Sequence, residues 1–571
     1  MGLHAQAQTL FGIYLALMTF ALCCILVSAR KGNREERVAV VVAPVTETGT
    51  APGAKKWLAW LFLSFVPSSL LMAVTVYITT DIISAPMIWV LPLALYLMTF
   101  VIAFSRKPII SLNMIEFLHP PAVIMAIVMI YAFNDTHTIS WAGMAAFLVL
   151  FTIAALSCHM RLVSLRPLEE NSKGLTAFYL MMSVGGALGG ILNAFIIPIV
   201  TDRLVELPLM LAISVLLHPA IRKSGTAFYI ILASVAATLL LINIDPPILP
   251  WNKQQIVILV FAACLAFCAF VTIRKPKSAF SPFTVFICGA AVIVPLTQFG
   301  VPKKDQLFMT RNFYGTIRVY ERDLQVNGKT ETMRYMRHGT TTHGAQFLSP
   351  ELQNLTPAYY PHTGPVGDIF RLFPSEHTAV VGLGAGTVNC FNTGTTPFLF
   401  IEIDPAVVDV AREYFKYLSD CNKAAPAETV VGDGRIELLK LPKNSQDIIV
   451  LDAFSSDVIP THLLTVDALK EYKELLKDKG LIVLNISNRY FNLLHIMSKN
   501  AHEAGLHPYG RAFDPEDRTY IYPNFWMAMG KDDAALKILE EHDWRRIEEK
   551  TGLRAWTDDY TNLMGMLEFK L

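Results

Sequence analysis

The sequence predicts a multi-span α-helical membrane bundle, then a small β-hairpin subdomain, then an α/β Rossmann-like domain. Three observations lead there. Of 571 residues, 53% are hydrophobic and only 17% charged, far from the usual soluble composition. Uncharged apolar runs dominate up to about Phe299, after which the chain reads as an ordinary mixed sequence. From Thr378 onward, short apolar strands alternate with helical patterns. The boundaries expected are 1–300 for the membrane part, 301–375 for the β-rich subdomain and 376–571 for the Rossmann-like domain.

A bilayer core of about 30 Å needs roughly 20 mostly apolar residues in helical form. Segments 57–80, 86–105, 138–157, 226–244, 254–273 and 279–299 meet that without a charge, and 10–29 and 175–200 come close. Segment 117–134 is short and proline-rich at its start, and 207–219 is the weakest, so about ten spans result. The first apolar run lacks a preceding Lys or Arg and is too long for a signal-peptide core, so it should stay in the mature chain. Within 175–200, Gly185, Gly186, Gly189 and Gly190 put small residues on one helical face, which permits close helix–helix approach. Residues Cys158, His159, Arg161 and Arg166, at a span end, could equally serve a polar head group or plain anchoring.

Basic residues alternate between loops. Arg30, Lys31, Arg34, Arg37, Lys55, Lys56, Arg106, Lys107, Arg161, Arg166, Lys173, Arg222, Lys223, Arg274, Lys275 and Lys277 fall on one side, and only Arg203 and Lys253 on the other. The positive-inside rule then makes the first side cytoplasmic. Ten literal spans would put the C-terminal domain outside. If 207–219 does not cross, the later segments reverse, and the expectation becomes a multi-pass inner (plasma) membrane protein of bacterial type with a cytoplasmic catalytic domain.

Net charge is +1, so no basic face announces nucleic acid, and small molecules are the expected ligands. Six cysteines lie in or beside apolar runs, and Cys390 and Cys421 lack metal-ligand spacing. Neither a disulfide framework nor a metal is expected.

In the soluble part, YGTIRVYERD and ETMRYMRH flank Asn327-Gly328, which reads as a β-hairpin. TAVVGLGAG, PFLFIEID, ETVVGDG, DIIVLDAF and GLIVLNIS then read as parallel strands of a doubly wound sheet, which binds ligands at its C-terminal strand ends. Gly382, Gly384 and Gly386 end the first strand, where absent side chains let backbone approach a ligand. The spacing is GxGxG, and the position a dinucleotide GxGxxG would fill with glycine is Thr387, which disfavours nicotinamide cofactors. Glu402, at the next strand end, can accept from two ribose hydroxyls. Asp433-Gly434, after the third, can meet the adenine amine. Asp452 and Asp457 follow the fourth, and two carboxylates there suit an attacking amine better than a phosphate. Asp457 alternatively caps a turn before Pro460.

This order of motifs resembles the spermidine/spermine synthase (polyamine aminopropyltransferase) family over roughly 310–530, and the front resembles its membrane-fused members. The resemblance implies a class I methyltransferase fold, with the glycine loop holding the nucleoside, Glu402 on ribose and Asp433-Gly434 on adenine. It assigns Asp452 to deprotonating the acceptor amine and Asp457 to holding the substrate amines, although Ala453 and Phe454 are extra and Val458 replaces the usual proline. Gln346 resembles the family glutamine near the nucleoside, and Tyr360 with His362 its Tyr-His pair, here split by Pro361. His338 and His343 either line the pocket or hold the hairpin domain to it. The family's glycine-loop aspartate, which binds the free amine of the decarboxylated donor, is Ala385 here.

The reaction expected is alkyl transfer from a (decarboxylated) S-adenosylmethionine to an amine, releasing methylthioadenosine. Ala385 leaves open a second reading, with intact S-adenosylmethionine as methyl donor or cleaved to methylthioadenosine. A third is a transporter or sensor regulated by the nucleoside domain. No cofactor is expected beyond the S-adenosylmethionine-type co-substrate. The partners expected are that sulfonium nucleoside, an amine and the lipid bilayer, with a homo-oligomer left open.

Overall fold

The computed structural model describes residues 12, 19, 53–79, 88–133, 141–167, 172–202, 204–219, 305–339, 341–453, 460–488 and 491–566. Glu47–Thr316 form one compact unit, and Ile317–Leu571 belong to another.

The first unit is helical: α1 (Ala54–Tyr77), α2 (Val90–Ala103), α3 (Leu112–Phe133), α4 (Trp141–Ser164), α5 (Ser172–Ile191) and α6 (Glu206–Leu216). A π turn at Leu192–Ile196 and a final turn at Ile197–Val200 extend α5. Among the described residues, three helices are long and apolar enough to cross a membrane: Ala54–Tyr77, Gly143–Ser164 and Lys173–Val200. They coincide with the expected segments 57–80, 138–157 and 175–200. Segment 86–105 yields a shorter helix, α2, and 207–219 yields α6. Segment 117–134 falls on α3, with Pro120 and Pro121 inside it. The segments 226–244, 254–273 and 279–299 lie outside the described residues, as does 10–29 but for Gly12 and Thr19.

Side-chain contacts set the helix directions. Trp60 packs on Phe178, and Ser68 Oγ donates to the Gly186 carbonyl at 2.9 Å, so α1 and α5 run parallel. Trp60 Nε1 donates to the Leu165 carbonyl at 3.1 Å while Tyr77 packs on Phe147, so α4 runs antiparallel to α1. Arg161 pairs with Glu116 at 3.3 Å, and His119 meets Ser214 at 2.9 Å while His218 meets the Glu116 carbonyl at 3.1 Å. Helix α6 therefore ends where α3 begins. At its other end, Glu206 takes a two-pronged ion pair from Arg311, at 2.8 and 3.1 Å, on strand β1 (Gln306–Asn312).

Of the glycines Gly185, Gly186, Gly189 and Gly190 in α5, two meet α1 closely. A Cβ at Gly185 would lie 2.4 Å from the Leu61 carbonyl, and one at Gly189 2.6 Å from that of Phe65. Gly186 and Gly190 meet nothing within 4 Å, because residues one apart on a helix point about 100° away from each other.

In the second unit, β2 (Gly315–Val326) and β3 (Lys329–His338) pair antiparallel from Val326 opposite Lys329. That leaves Asn327 (φ 50°) and Gly328 (φ 75°) as a two-residue loop with both φ positive, the turn that matches strand twist. A further strand, β4 (Thr341–Phe347), pairs with β3 where sequence reading had no strand.

The main sheet contains β5 (Thr378–Val381), β6 (Leu399–Glu402), β7 (Glu428–Val431), β8 (Gln446–Leu451), β9 (Leu476–Asn485), β10 (His507–Phe513), β11 (Asn524–Gly530) and β12 (Arg545–Arg546). Their order is β12-β10-β11-β9-β8-β5-β6-β7, with β9 to β7 parallel and the remaining pairs antiparallel. The fully buried runs of β5 and β8 fit central parallel strands covered on both faces. Chain order reverses between β5 and β8, which makes their C-terminal ends the crevice where such sheets bind ligands.

One expectation is corrected. Cys390 and Cys421 form a disulfide, with Cα atoms 4.7 Å apart. They are 31 residues apart in sequence, and the fold brings together what spacing alone does not announce.

Candidate functional site

The switch-point crevice is built by the backbone first. Gly382 (φ 95°) follows β5, and its N–H donates to the Ile401 carbonyl at 2.9 Å. A Cβ there would lie 2.3 Å from the Asp452 carbonyl oxygen. Glycine is thus required both for the positive φ and for the close approach of the β5 and β8 ends. Gly384 (φ 53°) similarly abuts the His343 carbonyl, and Ala385 N–H donates to that same oxygen at 3.2 Å. Gly386 (φ 84°) sits on Leu418.

Glu402, ending β6, grips the loop. Its Oε2 accepts from the Leu383 N–H at 3.0 Å and its Oε1 from the Asp404 N–H at 3.0 Å. Burial pushes its pKa up, and those backbone donors oppose the rise. Asp433 caps α7 (Gly434–Leu438), its Oδ1 accepting from the Arg435 and Ile436 N–H groups at 3.0 Å each. Its Oδ2 meets His462 Nε2 at 3.0 Å. Burial raises its pKa, but the Ile436 N–H and His462 outweigh that and hold it below the usual range. Gly434 is close enough to β5 that a Cβ would strike the Val381 side chain.

Asp452 follows β8 and has the most worked environment. Tyr360 donates its hydroxyl to Oδ2, and Asn485 Nδ2 donates to Oδ1 at 2.8 Å. Burial pushes the carboxyl up to about 6, against the opposing pull of those two donors. Burial and the adjacent carboxylate raise the Tyr360 hydroxyl well above its ordinary pKa, so it remains a donor. Asn485 ends β9, and its own Oδ1 is held by the Ser487 N–H at 2.9 Å, which fixes the amide orientation. Trp526, opposite Asn485 in the β9–β11 register, lies 6.1 Å from the Tyr360 ring. Sequence reading missed Asn485; its signal is a lone polar residue ending the apolar run GLIVLN at the ligand-binding edge.

Thus Gly382, Gly384, Gly386, Glu402, Asp433, Gly434, Asp452 and Tyr360 gather at or against the C-terminal ends of β5 to β8. Two expected residues point to other work. Gln346 is buried with Nε2 donating to the Gln353 carbonyl and Oε1 accepting from the Lys416 N–H, both at 3.0 Å. His362 is exposed and packs edge-on against Phe391, and partial burial lowers its ring pKa. Asp457 lies outside the described residues. His338 and His343 sit 5.5 Å apart, and burial pushes His343 down to about 3, which keeps it neutral. Among the described residues, no group of three or more His, Cys, Asp or Glu is arranged to hold a metal.

A spermine/spermidine synthase domain signature matches residues 388–511. A polyamine aminopropyltransferase of Vibrio vulnificus (strain CMCP6) is 27% identical over 209 residues, 35% of this chain and 66% of that protein. Another, of Desulforudis audaxviator (strain MP104C), is 28% identical over 113 residues, 20% of this chain and 41% of that protein. The matches therefore span just under two thirds of one relative and less than half of the other. The crystal structure of a probable spermidine synthase from Corynebacterium glutamicum ATCC 13032 is similar over 46% of this chain and 99% of that one, at 15% identity and a TM-score of 0.34. The α/β unit thus carries a spermine/spermidine synthase domain signature and is similar to these polyamine aminopropyltransferases.

Proposed function

We propose that the chain is a membrane-embedded alkyltransferase of the polyamine aminopropyltransferase type. The observation that carries this is the Asp452 carboxyl, buried between Tyr360 and Asn485 at the switch point and raised to about 6. A carboxylate with that pKa is ionised near neutrality and a better base than a solvated one. The glycine loop and Glu402 supply the neighbouring nucleoside subsite, with Asp433 and Gly434 at the adenine end.

In this reading an acceptor amine hydrogen-bonds to Asp452, which takes its proton as the nitrogen lone pair attacks the methylene next to the donor sulfonium. The carbon–sulfur bond breaks, sulfur keeps the electron pair, and methylthioadenosine leaves as a neutral thioether. Such a leaving group needs no acid. Positioning and the base carry the rate, the base contributing on the order of 10²–10⁴-fold. The apolar helices of the first unit hold the protein in the bilayer.

One observation favours a second donor. Ala385 is 1% exposed, with its methyl against the backbone of Gly344, so no carboxylate stands there to hold the amine of a decarboxylated donor or to repel a donor carboxylate. Intact S-adenosylmethionine is then admissible.

The test incubates the purified full chain with S-adenosylmethionine or its decarboxylated form, with and without putrescine, and identifies products by mass spectrometry. Methylthioadenosine with a lengthened polyamine is the expected result. Methylthioadenosine without an acceptor would indicate cleavage, S-adenosylhomocysteine methyl transfer, and no turnover of either donor would defeat the enzyme reading.

A further inference from the structure

We infer that His462 sets base selectivity at the nucleoside site: with its ring on Asp433, that carboxylate keeps one open acceptor position, which takes the amine of a 6-aminopurine and rejects the carbonyl of a 6-oxopurine. The inference rests on the nucleoside reading of the crevice and deepens it by adding a positioning residue.

An ionised carboxylate only accepts hydrogen bonds and offers about four lone-pair positions for them. Asp433 commits both positions of Oδ1 to the Arg435 and Ile436 N–H groups, at 3.0 Å each. His462 Nε2, at 3.0 Å, takes one position of Oδ2. Burial raises the Asp433 pKa, but the Ile436 N–H, His462 and the Arg435 N–H outweigh it, so the carboxyl is ionised and Nε2 is the donor. One position on Oδ2 remains. The Asp433 side chain is 26% exposed, which leaves that position open to a ligand.

His462 is itself held in place by its backbone. It lies in the short turn Thr461–Leu463, and its carbonyl accepts from Arg435 Nη1 at 3.1 Å. The Arg435 guanidinium is fixed in turn by Glu471 at 2.6 Å and by the two oxygens of Asp558 at 2.8 and 2.9 Å. Asp558 also accepts from Thr465 Oγ1 at 2.7 Å, just beyond the turn. Arg435 therefore serves both ends of the arrangement, its N–H binding Asp433 Oδ1 and its side chain binding the His462 carbonyl. The His462 ring is the part left in solvent, 53% exposed. An exposed pair of this kind adds little to stability, so its effect falls on what else Oδ2 can bind.

The ring stands where a water would otherwise solvate Oδ2. An incoming amine then displaces less water and meets an oxygen already oriented, which lowers the cost of binding. A base with an amine at that edge donates to the open position. A carbonyl there sets oxygen against oxygen and leaves both unpaired, and sites built to bond a donor discriminate strongly against ligands that lack it.

Calorimetry on the purified full chain tests this with methylthioadenosine and methylthioinosine, which carry an amine and a carbonyl at the purine 6-position. The parent should prefer the amino base. His462→Ala should reduce that preference by roughly tenfold, through weaker binding of methylthioadenosine with methylthioinosine little changed. His462→Gln places an amide N–H within reach of Asp433 and should restore most of the preference. A preference that survives His462→Ala would overturn the inference, as would an equal loss of both nucleosides, the mark of a merely structural role. So would a glutamine variant no better than alanine. A parent that binds methylthioadenosine without preferring it would overturn the inference and leave the nucleoside reading standing, whereas a parent that binds neither ligand would defeat both.

Discussion

Asn485 Nδ2 donates to Asp452 Oδ1 across 2.8 Å, from the end of one central strand to the end of its parallel neighbour. The donor stabilises the ionised carboxyl that burial disfavours, so Asn485 sets how basic Asp452 is as well as where it points. A base works when ionised, so kcat/KM should fall as pH drops through about 6 and level off above it. Asn485→Ala removes a stabilising donor and should move this acidic limb upward by roughly one pH unit, since hydrogen bonds to charged groups contribute about 1.5–3 kcal/mol. A limb that stays in place or moves down would mean the amide does not tune the carboxyl.

Gly382→Ala tests the crevice backbone. The new Cβ would meet the Asp452 carbonyl at 2.3 Å from a residue at φ 95°, so the β5 and β8 ends must separate. Backbone strain alone should cost about 1–3 kcal/mol. A lower thermal midpoint should accompany weakened binding of methylthioadenosine by calorimetry, and unchanged binding would show that the loop does not hold the nucleoside.

Much of this site was legible in the sequence because strand ends announce themselves. An apolar run stopping at glycine or a carboxylate marks a ligand-facing edge, and Gly382, Glu402, Asp433 and Asp452 all follow that rule. Asn485 follows it too, but an amide carries no charge to attract notice. Gln346 could not be placed from sequence, because its buried position is set by the Gln353 carbonyl and by the Lys416 N–H, the latter 70 residues away in the chain. Strand β4 was hidden by its composition: TTHGAQF lacks alternation and includes Gly344, whose bare Cα faces Ala385. The Cys390–Cys421 bond depends on Tyr417–Asp420 turning back onto the segment after the glycine loop, where Asn389 Nδ2 donates to the Tyr417 carbonyl at 2.9 Å. No local pattern encodes that meeting.

The disulfide should contribute measurably. Closing a loop between residues 31 apart restrains the unfolded chain by about 3–4 kcal/mol. Cys390→Ser should lower the thermal midpoint of the α/β unit, and reductant should lower that of the parent to match. A variant that melts with the oxidised parent would show the bond to be dispensable.

The glycines of α5 offer a paired control. Gly185→Val drives a side chain into α1, whose Leu61 carbonyl lies 2.4 Å from the new Cβ, whereas Gly186→Val enters open space. Overpacking should make the first destabilising by about 1–3 kcal/mol or more, and the second near neutral. Melting in detergent distinguishes them, and equal midpoints would contradict the α1–α5 packing.

The most direct test of the proposed chemistry is Asp452→Asn in the full chain, with methylthioadenosine affinity measured by calorimetry beside turnover by mass spectrometry. Affinity within a few-fold of the parent and turnover lower by about 10²–10⁴-fold are expected, since the amide keeps the shape and loses the base. Turnover near that of the parent would contradict the assignment of Asp452 as the base.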